Sequence, residues 1–517
     1  MRRYLFMGVF FAGFTSLAVE LSASRLLGNY FGSSNVVWAV IIGLILIYLS
    51  IGYSIGGRWA DRSPKIITFF SILCWAGFLV GLIPFGSRPI LRMASKAFDQ
   101  LQIGLMAGAF AAVLILFSGP VVLLGTASPF AIRLAIGDTA DSGKIAGQIY
   151  TVSTLGSFLG TFLPVLLLIP AVGTYKTFLI LGSVLLATAL VGIWKTVSLS
   201  AALKRSWMLL ILLIFVIIGI RGYDKIAKNI IFEDESAYNY IQVQEIDGFK
   251  LLRLNEGQGI HSIFHPTNHL YGGPWEQVTI APFFYPPDSS PFDIERIAIL
   301  GLAAGTSANL AVEAFPGVVV DGYEIDPDII HAGYQFFNMN STNLNAYAQD
   351  ARVGISNSQE QYDIISIDAF RPPYIPWHLT TQEFFQEIKD HLTKNGSMVI
   401  NVVRTFEDRR LLNSLFQTIQ SVYPSTYIVD IPDALNSIIF ATNSETDSNN
   451  LESNYMRINK HQNTPAFLLS ALEVAIINAQ PAPQEGQILT DDHAPVEWII
   501  NAMIWDLFRS ESLEILQ

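Results

Sequence analysis

The chain has 517 residues, of which 51% are hydrophobic and 14% charged, far below the usual quarter for charged residues in a soluble domain. Residues 1–228 carry 18 Lys and Arg against 6 Asp and Glu, a net of +12, and the remainder carries 13 against 37, a net of −24. That acidity argues against nucleic acid, which needs clustered Lys and Arg, and a single cysteine, Cys74, excludes a disulfide framework or a Cys metal site.

In chain order, apolar segments of spanning length occur at 4–24, 36–56, 66–86, 103–125, 149–171, 177–194 and 207–220. Each is close to the ~20 residues that a bilayer core requires. They predict an α-helical membrane bundle of about seven spans over residues 1–228, with the lipid bilayer as a partner. The first segment has no clean cleavage site and more spans follow, so it does not read as a signal peptide. Polar residues lie in or beside these spans: Glu20 and Arg25 flanking the end of the first, Arg58, Asp61 and Arg62 after the second, Pro129 and Arg133 after the fourth. Ionisable groups at membrane depth are either functional or paired structurally, and the second is the expectation here. Gly156 and Gly160 form a G-x-x-x-G, a spacing that permits close helix packing. With the N-terminus inside, Lys and Arg divide ten to eight between the two sides, a bias too small to settle topology.

After residue 229 the pattern changes. Residues 238–246 and 249–254 alternate apolar and polar, with Asp247-Gly248 between them as a hairpin signal. A third strand is expected near Gly259–Phe264. This predicts a small antiparallel β region over 229–292. His261, His265 and His269 recur every four residues, but Pro266 interrupts them, so a polar loop is expected there and no metal site.

Residues 293–517 read as an α/β domain with a C-terminal tail. The stretch 296–326 is a strand, a glycine-containing turn (Gly301 to Thr306), a helix near 307–315, and a strand ending at Glu324. Small residues in such a turn let a ligand approach the backbone, and an acid about 20 residues on can accept ribose hydroxyls. Further strands are expected at 344–350, 362–370, 396–403, 426–432 and 437–443, and helices near 326–337, 380–393 and 407–421. Alternation implies a parallel sheet, while the short turn at 432–436 requires the last two strands to pair antiparallel. That is the arrangement of a class I methyltransferase-like, Rossmann-like domain. Glu324, Asp350 and Asp368 then fall at three successive strand ends, where open α/β sheets bind ligands. For any one of them a helix cap or a solvated loop is the plainer alternative.

These residues resemble the spermidine/spermine synthase family, the polyamine aminopropyltransferases, and in particular bacterial members with an N-terminal multispanning domain. The likeness rests on E-S-A-Y-N-Y-I-Q-V (235–243), Gln258, G-L-A-A-G-T (301–306), Y-E-I-D-P (323–327), Q-D-A (349–351), Y-D-I-I-S-I-D-A-F (362–370), I-P-W-H-L-T-T-Q-E-F (375–384) and L-T-D-D-H-A-P-V-E (489–497). It implies a transferase with decarboxylated S-adenosylmethionine or S-adenosylmethionine as cosubstrate and no permanently bound cofactor. Gly301 and Gly305 would lie against the cosubstrate's amino-acid portion, and Glu324 would hold the ribose. Asp350 and Ala351 would meet the adenine, with Asn239 and Gln258 also on the cosubstrate. Asp368 would be the catalytic acid beside the attacking amine. A small-molecule amine or another acceptor, and a homo-oligomer, are the partners implied. The chain departs from the family at Ala304 and Arg371, where acids are usual, and lacks an acidic pair after Gln258. These losses keep open an S-adenosylmethionine-dependent methyltransferase. A further alternative is a transporter or sensor with a ligand-binding domain, because Gly57–Arg62 is similar to a loop of major facilitator transporters. The expected location is a bacterial cell membrane, with the soluble part cytoplasmic.

Overall fold

A computed structural model describes residues 1–31, 35–101, 105–136, 142–218, 229–255, 259–289, 291–369, 374–405, 407–461 and 463–509. The chain forms two compact units. One comprises Met1–Lys228, Glu233–Tyr240 and Asn255–Gly257; the other comprises Asn229–Phe232, Ile241–Leu254 and Gln258–Gln517.

The first unit is helical: α1 (Arg2–Phe31), α2 (Asn35–Arg62), α3 (Ile66–Leu101), α4 (Leu105–Gly125), α5 (Ala127–Ala135), α6 (Ser142–Leu163), α7 (Ile169–Thr196), α8 (Leu199–Leu203) and α9 (Ser206–Ile218). Among the described residues, five helical stretches are long and apolar enough to cross a membrane, rather than the seven suggested by hydropathy along the sequence. The reason is continuity. The segments at 149–171 and 177–194 belong to one helical stretch, Ser142–Thr196, which passes through a π-helical turn at Pro164–Leu168 and a break at Gly173, where φ is +79°. The described part of the segment at 207–220 lies in a helix of 13 residues, Ser206–Ile218, short of the length counted as a span.

α1 and α6 pack backbone to backbone through the G-x-x-x-G motif. A Cβ on Gly156 would lie 2.1 Å from the carbonyl oxygen of Phe10, and one on Gly160 would lie 2.1 Å from that of Phe14. Ser157 Oγ donates to the Gly13 carbonyl at 3.1 Å, and Arg2 Nη2 donates to Gln148 Oε1 at 2.7 Å. The two helices therefore run side by side in the same direction, and glycine is what allows their approach. At the end of α2, Asp61 pairs with Arg133 of α5 at 3.1 Å, an exposed pair worth at most about 1 kcal/mol.

β1 (Ile230–Glu235), β2 (Tyr240–Ile246), β3 (Phe249–Leu254) and β4 (Ser262–Phe264) form a sheet in that order, which belongs to the second unit except for Glu233–Glu235 and Tyr240. β2, β3 and β4 pair antiparallel, with Ile246 opposite Phe249. Asp247 and Gly248 have φ of +52° and +83°, the geometry of a two-residue type I′ hairpin. A short helix, α10 (Pro274–Gln277), leads on to the α/β part.

That part runs β5 (Arg296–Leu300), α11 (Thr306–Ala314), β6 (Val319–Glu324), α12 (Pro327–Phe336), β7 (Leu344–Ala348), α13 (Ala351–Asn357), β8 (Tyr362–Ile367), α14 (Gln382–Asp390), β9 (Leu392–Val403), α15 (Arg410–Gln420), β10 (Ser425–Asp430), β11 (Asn436–Thr442), α16 (Asn449–Ile458), α17 (Ala466–Ile477), β12 (Ala479–Gln480) and α18 (Val496–Arg509). The sheet order is β12-β10-β11-β9-β8-β5-β6-β7. β5 to β9 are parallel, and β10 and β11 add an antiparallel hairpin beside β9, as the short 432–436 turn requires. Side chains alternate across β5: Ile297 and Ile299 enter one apolar core, Ala298 and Leu300 the other. Strand order reverses between β5 and β8, which is where such sheets place a ligand crevice.

Gly160→Leu is expected to destabilise the helical unit by about 3 kcal/mol or more, since the clash is with backbone. Gly143→Leu, at a glycine with nothing within 4 Å, is the control. Yield of monodisperse protein in detergent and its melting temperature check this. Equal behaviour of the two variants would remove the role given to the motif.

Candidate functional site

The site is built on the turn after β5. Gly301, Ala303 and Gly305 have φ of +96°, +48° and +86°. At Gly301 a Cβ would lie 2.5 Å from the carbonyl oxygen of Asp368, so the ends of β5 and β8 touch. Ala303 pays the strain of a left-handed conformation without being glycine. Its N–H donates to Glu324 Oε2 at 3.0 Å.

The turn's five N–H groups are all spent inside the protein. Those of Gly301 and Leu302 go to the Tyr323 carbonyl, that of Ala303 to Glu324, that of Ala304 to Ser262 Oγ and that of Gly305 to the Leu302 carbonyl. A phosphate-cradling loop keeps such donors for its ligand. In this turn none of those donors, from Gly301 to Gly305, is left for a phosphate. Ala304 is fully buried and belongs to an apolar cluster with Val243, Leu252 and Phe337.

Glu324 and Asp368 touch the turn, while Asp350, after β7, is engaged with other residues. Glu324 closes β6, and each of its oxygens accepts one backbone N–H, from Ala303 at 3.0 Å and from Asp326 at 3.1 Å. Each oxygen keeps a lone pair for a ligand hydroxyl. Burial, only partly offset by those bonds, pushes its carboxyl up to about 7. Asp368 follows β8, with its N–H on the Leu300 carbonyl at 2.8 Å. Burial pushes its carboxyl up to about 6, and a hydrogen bond from Asn401 opposes the shift. Asp350 caps α13 through Oδ1, which accepts the Val353 N–H at 3.1 Å, while Oδ2 lies 3.3 Å from His378 Nε2. Ala351 follows it as the first, buried residue of that helix.

One functional neighbour is not foreseeable from sequence pattern. Asn401, 8% exposed on β9, donates from Nδ2 to Asp368 Oδ1 at 3.0 Å and accepts at Oδ1 from Asn436 Nδ2 at 2.9 Å. Its only signal is an amide inside the apolar run M-V-I-N-V-V. Asp491, in the L-T-D-D-H motif, pairs with Arg352 at 2.9 Å and accepts from the Thr381 hydroxyl at 2.6 Å.

Of the remaining expected residues, Asn239 is buried in the other unit, where its Oδ1 accepts from Asn255 Nδ2 at 2.9 Å. Gln258 and Arg371 lie outside the described residues. The three histidines are used separately. His265 Nδ1 accepts the Asn268 N–H at 2.9 Å, His269 pairs with Glu313 at 2.6 Å, and desolvation of the half-buried His261 pushes its imidazole down to about 4.

Comparison with known proteins agrees with this geometry. A model of the spermine/spermidine synthase domain matches residues 319–454. The chain is 32% identical over 213 residues to the polyamine aminopropyltransferase of Vibrio vulnificus, covering 40% of this chain and 69% of that one. It is 26% identical over 289 residues to a probable polyamine aminopropyl transferase of Bifidobacterium longum, covering 53% of this chain and 63% of that one. The match to polyamine aminopropyltransferase 2 of Aquifex aeolicus is 24% over 442 residues. It covers 82% of this chain and 84% of the relative, and so reaches into the helical half. Being 32% identical to a polyamine aminopropyltransferase over 69% of that relative's length, with a half-buried carboxylate just after β8 against the glycine turn, the chain belongs to the polyamine aminopropyltransferase family, a family of transferases.

Proposed function

We propose that this protein is a membrane-anchored aminopropyltransferase that moves an aminopropyl group from decarboxylated S-adenosylmethionine to an amine. The observation that carries the reading is Asp368: a carboxylate at a strand end, pressed against the glycine turn and held by Asn401. In the transfer the neutral amine nitrogen attacks the carbon bonded to the sulfonium. A C–N bond forms, the C–S bond breaks, and its electron pair stays on sulfur as a neutral thioether. The surplus proton of the nitrogen passes to Asp368. An acid raised to about 6 is a better base than an ordinary carboxylate and is still ionised at neutral pH. Most of the acceleration comes from positioning two reactants in one crevice.

The donor contacts follow the family likeness. Glu324 takes the ribose, Asp350 and Ala351 the adenine, Gly301 and Gly305 the amino-acid-derived chain, and Asn239 and Gln258 further donor groups. The bilayer is the second partner. The five apolar stretches support this, as do large apolar side chains exposed on them, such as Leu46, Phe158 and Leu166. We place the soluble unit on the cytosolic side, where an intracellular cosubstrate is found. Ala304 favours one second reading, methyl transfer from S-adenosylmethionine. An acid is usual there in the family, and this chain puts a methyl group in an apolar cluster.

The test uses the full-length protein in detergent. Both donors are titrated by calorimetry, and each is then assayed with putrescine and spermidine. Product from the decarboxylated donor is expected. Turnover of S-adenosylmethionine alone would move the assignment to methyl transfer, and binding of neither donor would overturn both. Asp368→Asn should lower kcat by about 10²–10⁴-fold and leave donor affinity within about twofold, because Asn keeps an oxygen for Asn401. Unchanged turnover would remove Asp368 from the mechanism.

The pH dependence has a definite sign. Below about pH 6 Asp368 holds its own proton, so kcat should fall as pH drops through that value. Asn401→Leu removes the bond that favours the ionised form, so the limb should move to higher pH; an unmoved limb would show that Asn401 does not act on Asp368. The raised carboxyl also means that ionisation opposes folding. Relative to wild type, Asp368→Asn should gain melting temperature above pH 6 and gain nothing near pH 3.8, the ordinary aspartate value. Thermal melts at the two pH values check this.

A further inference from the structure

Two stretches that the family likeness singles out, I-P-W-H-L-T-T-Q-E-F (375–384) and L-T-D-D-H-A-P-V-E (489–497), have no part in the transfer chemistry above. They meet on Arg352, in the first turn of α13 and two residues after Asp350. A guanidinium has five N–H groups, and all five are engaged here. Nε donates to Glu387 Oε2 at 3.0 Å and Nη2 to Glu387 Oε1 at 2.6 Å, which brings in α14. Nη1 donates to Asp491 Oδ1 and Nη2 to Asp491 Oδ2, both at 2.9 Å, a bidentate pair with the C-terminal stretch. Nη1 also donates to the His378 carbonyl at 3.0 Å. The Arg352 side chain is 18% exposed, so this is a partly desolvated, charge-assisted cluster. The guanidinium holds the Asp491 carboxyl below the usual aspartate range.

Asp491 is itself held in place. Its Oδ1 accepts the Thr381 hydroxyl at 2.6 Å, and Thr381 caps α14. Its N–H donates to Glu383 Oε2 at 2.9 Å, and the Gln382 N–H donates to the Leu489 carbonyl at 2.8 Å. The tail therefore lies on the first turn of α14 and reaches α13 through one side chain. What it holds is the surroundings of Asp350. His378 gives its carbonyl to Arg352 and sets its Nε2 3.3 Å from Asp350 Oδ2. Each Asp350 oxygen has one such partner, the Val353 N–H or His378, and keeps a lone pair. A carboxylate lone pair accepts from the exocyclic amine of adenine and repels the carbonyl oxygen that hypoxanthine carries in its place.

We propose that Asp491 is a positioning residue for base recognition: through Arg352 and the His378 carbonyl it fixes the Asp350 carboxylate, and so sets the preference for an amino-purine over an oxo-purine donor. This rests on the adenine role given to Asp350 above. It gives both stretches a task in choosing the donor.

The test uses full-length protein in detergent, with adenosine and inosine as the probes, each titrated by calorimetry. Wild type is expected to prefer adenosine about 10-fold or more, the scale of one bond to a charged acceptor. Asp491→Ala should shrink that preference to about twofold, and should raise KM for decarboxylated S-adenosylmethionine by more than it changes kcat. Asp491→Asn, which keeps an oxygen for Thr381 and loses the charge, should fall between the two and serves if Asp491→Ala does not fold. Folded variants with the wild-type preference would overturn the proposal and leave Asp350 on the adenine. Wild-type protein that binds the two nucleosides equally, or neither, would overturn the adenine role of Asp350 and this proposal with it. Neither comparison needs turnover, so failure of the transfer reaction is read separately.

Discussion

The contact on which the rest of the catalytic unit depends is between the backbone of Gly301 and the backbone of Asp368. With φ at +96° and no room for a side-chain carbon, the first strand can end flush against the fourth. That contact lies where strand order reverses. It sets the Asp368 carboxyl within reach of Asn401 on the next strand, and it lets the turn swing its following N–H groups onto Tyr323 and Glu324. Two acids are thereby attached to one turn through different atoms, one by its carboxylate and one by its main chain.

Much of this is legible in the residues. The unbroken apolar run of β5 and the Gly301–Gly305 turn mark the strand–turn–helix unit, because a parallel strand between two helical layers must be apolar on both faces. Asp247-Gly248 announces its hairpin, since both residues must adopt positive φ. Gly156 and Gly160 announce a helix contact, since small residues four apart clear a path for a second backbone. What escapes is long-range or singular. Asn401 is one amide in an apolar strand, and its meaning comes from Asn436 and Asp368, each more than 30 residues away. Arg25 pairs at 3.3 Å with Glu235, 210 residues away, so proximity of Arg25 to Glu20 in sequence misleads. The number of spans escapes for another reason. Hydropathy registers apolar length, not whether the chain stays helical from one apolar segment into the next, as it does through Pro164–Leu168.

The two units do not divide at one point in the chain. Residues 233–240 and 255–257 fold with the helices, although the strands around them fold with the α/β part. The boundary is crossed repeatedly within a single small sheet.

The spent N–H groups of the turn bear on which molecules can occupy the crevice in a cell. Many abundant metabolites share an adenosine head, and most of them carry it on a phosphate tail. A pocket chosen for adenosine alone would be filled by them. The N–H groups of Gly301 to Gly305 are all bonded within the protein, so a phosphate tail placed against this turn would find no amide donor there, whereas a tail without phosphate would lose nothing.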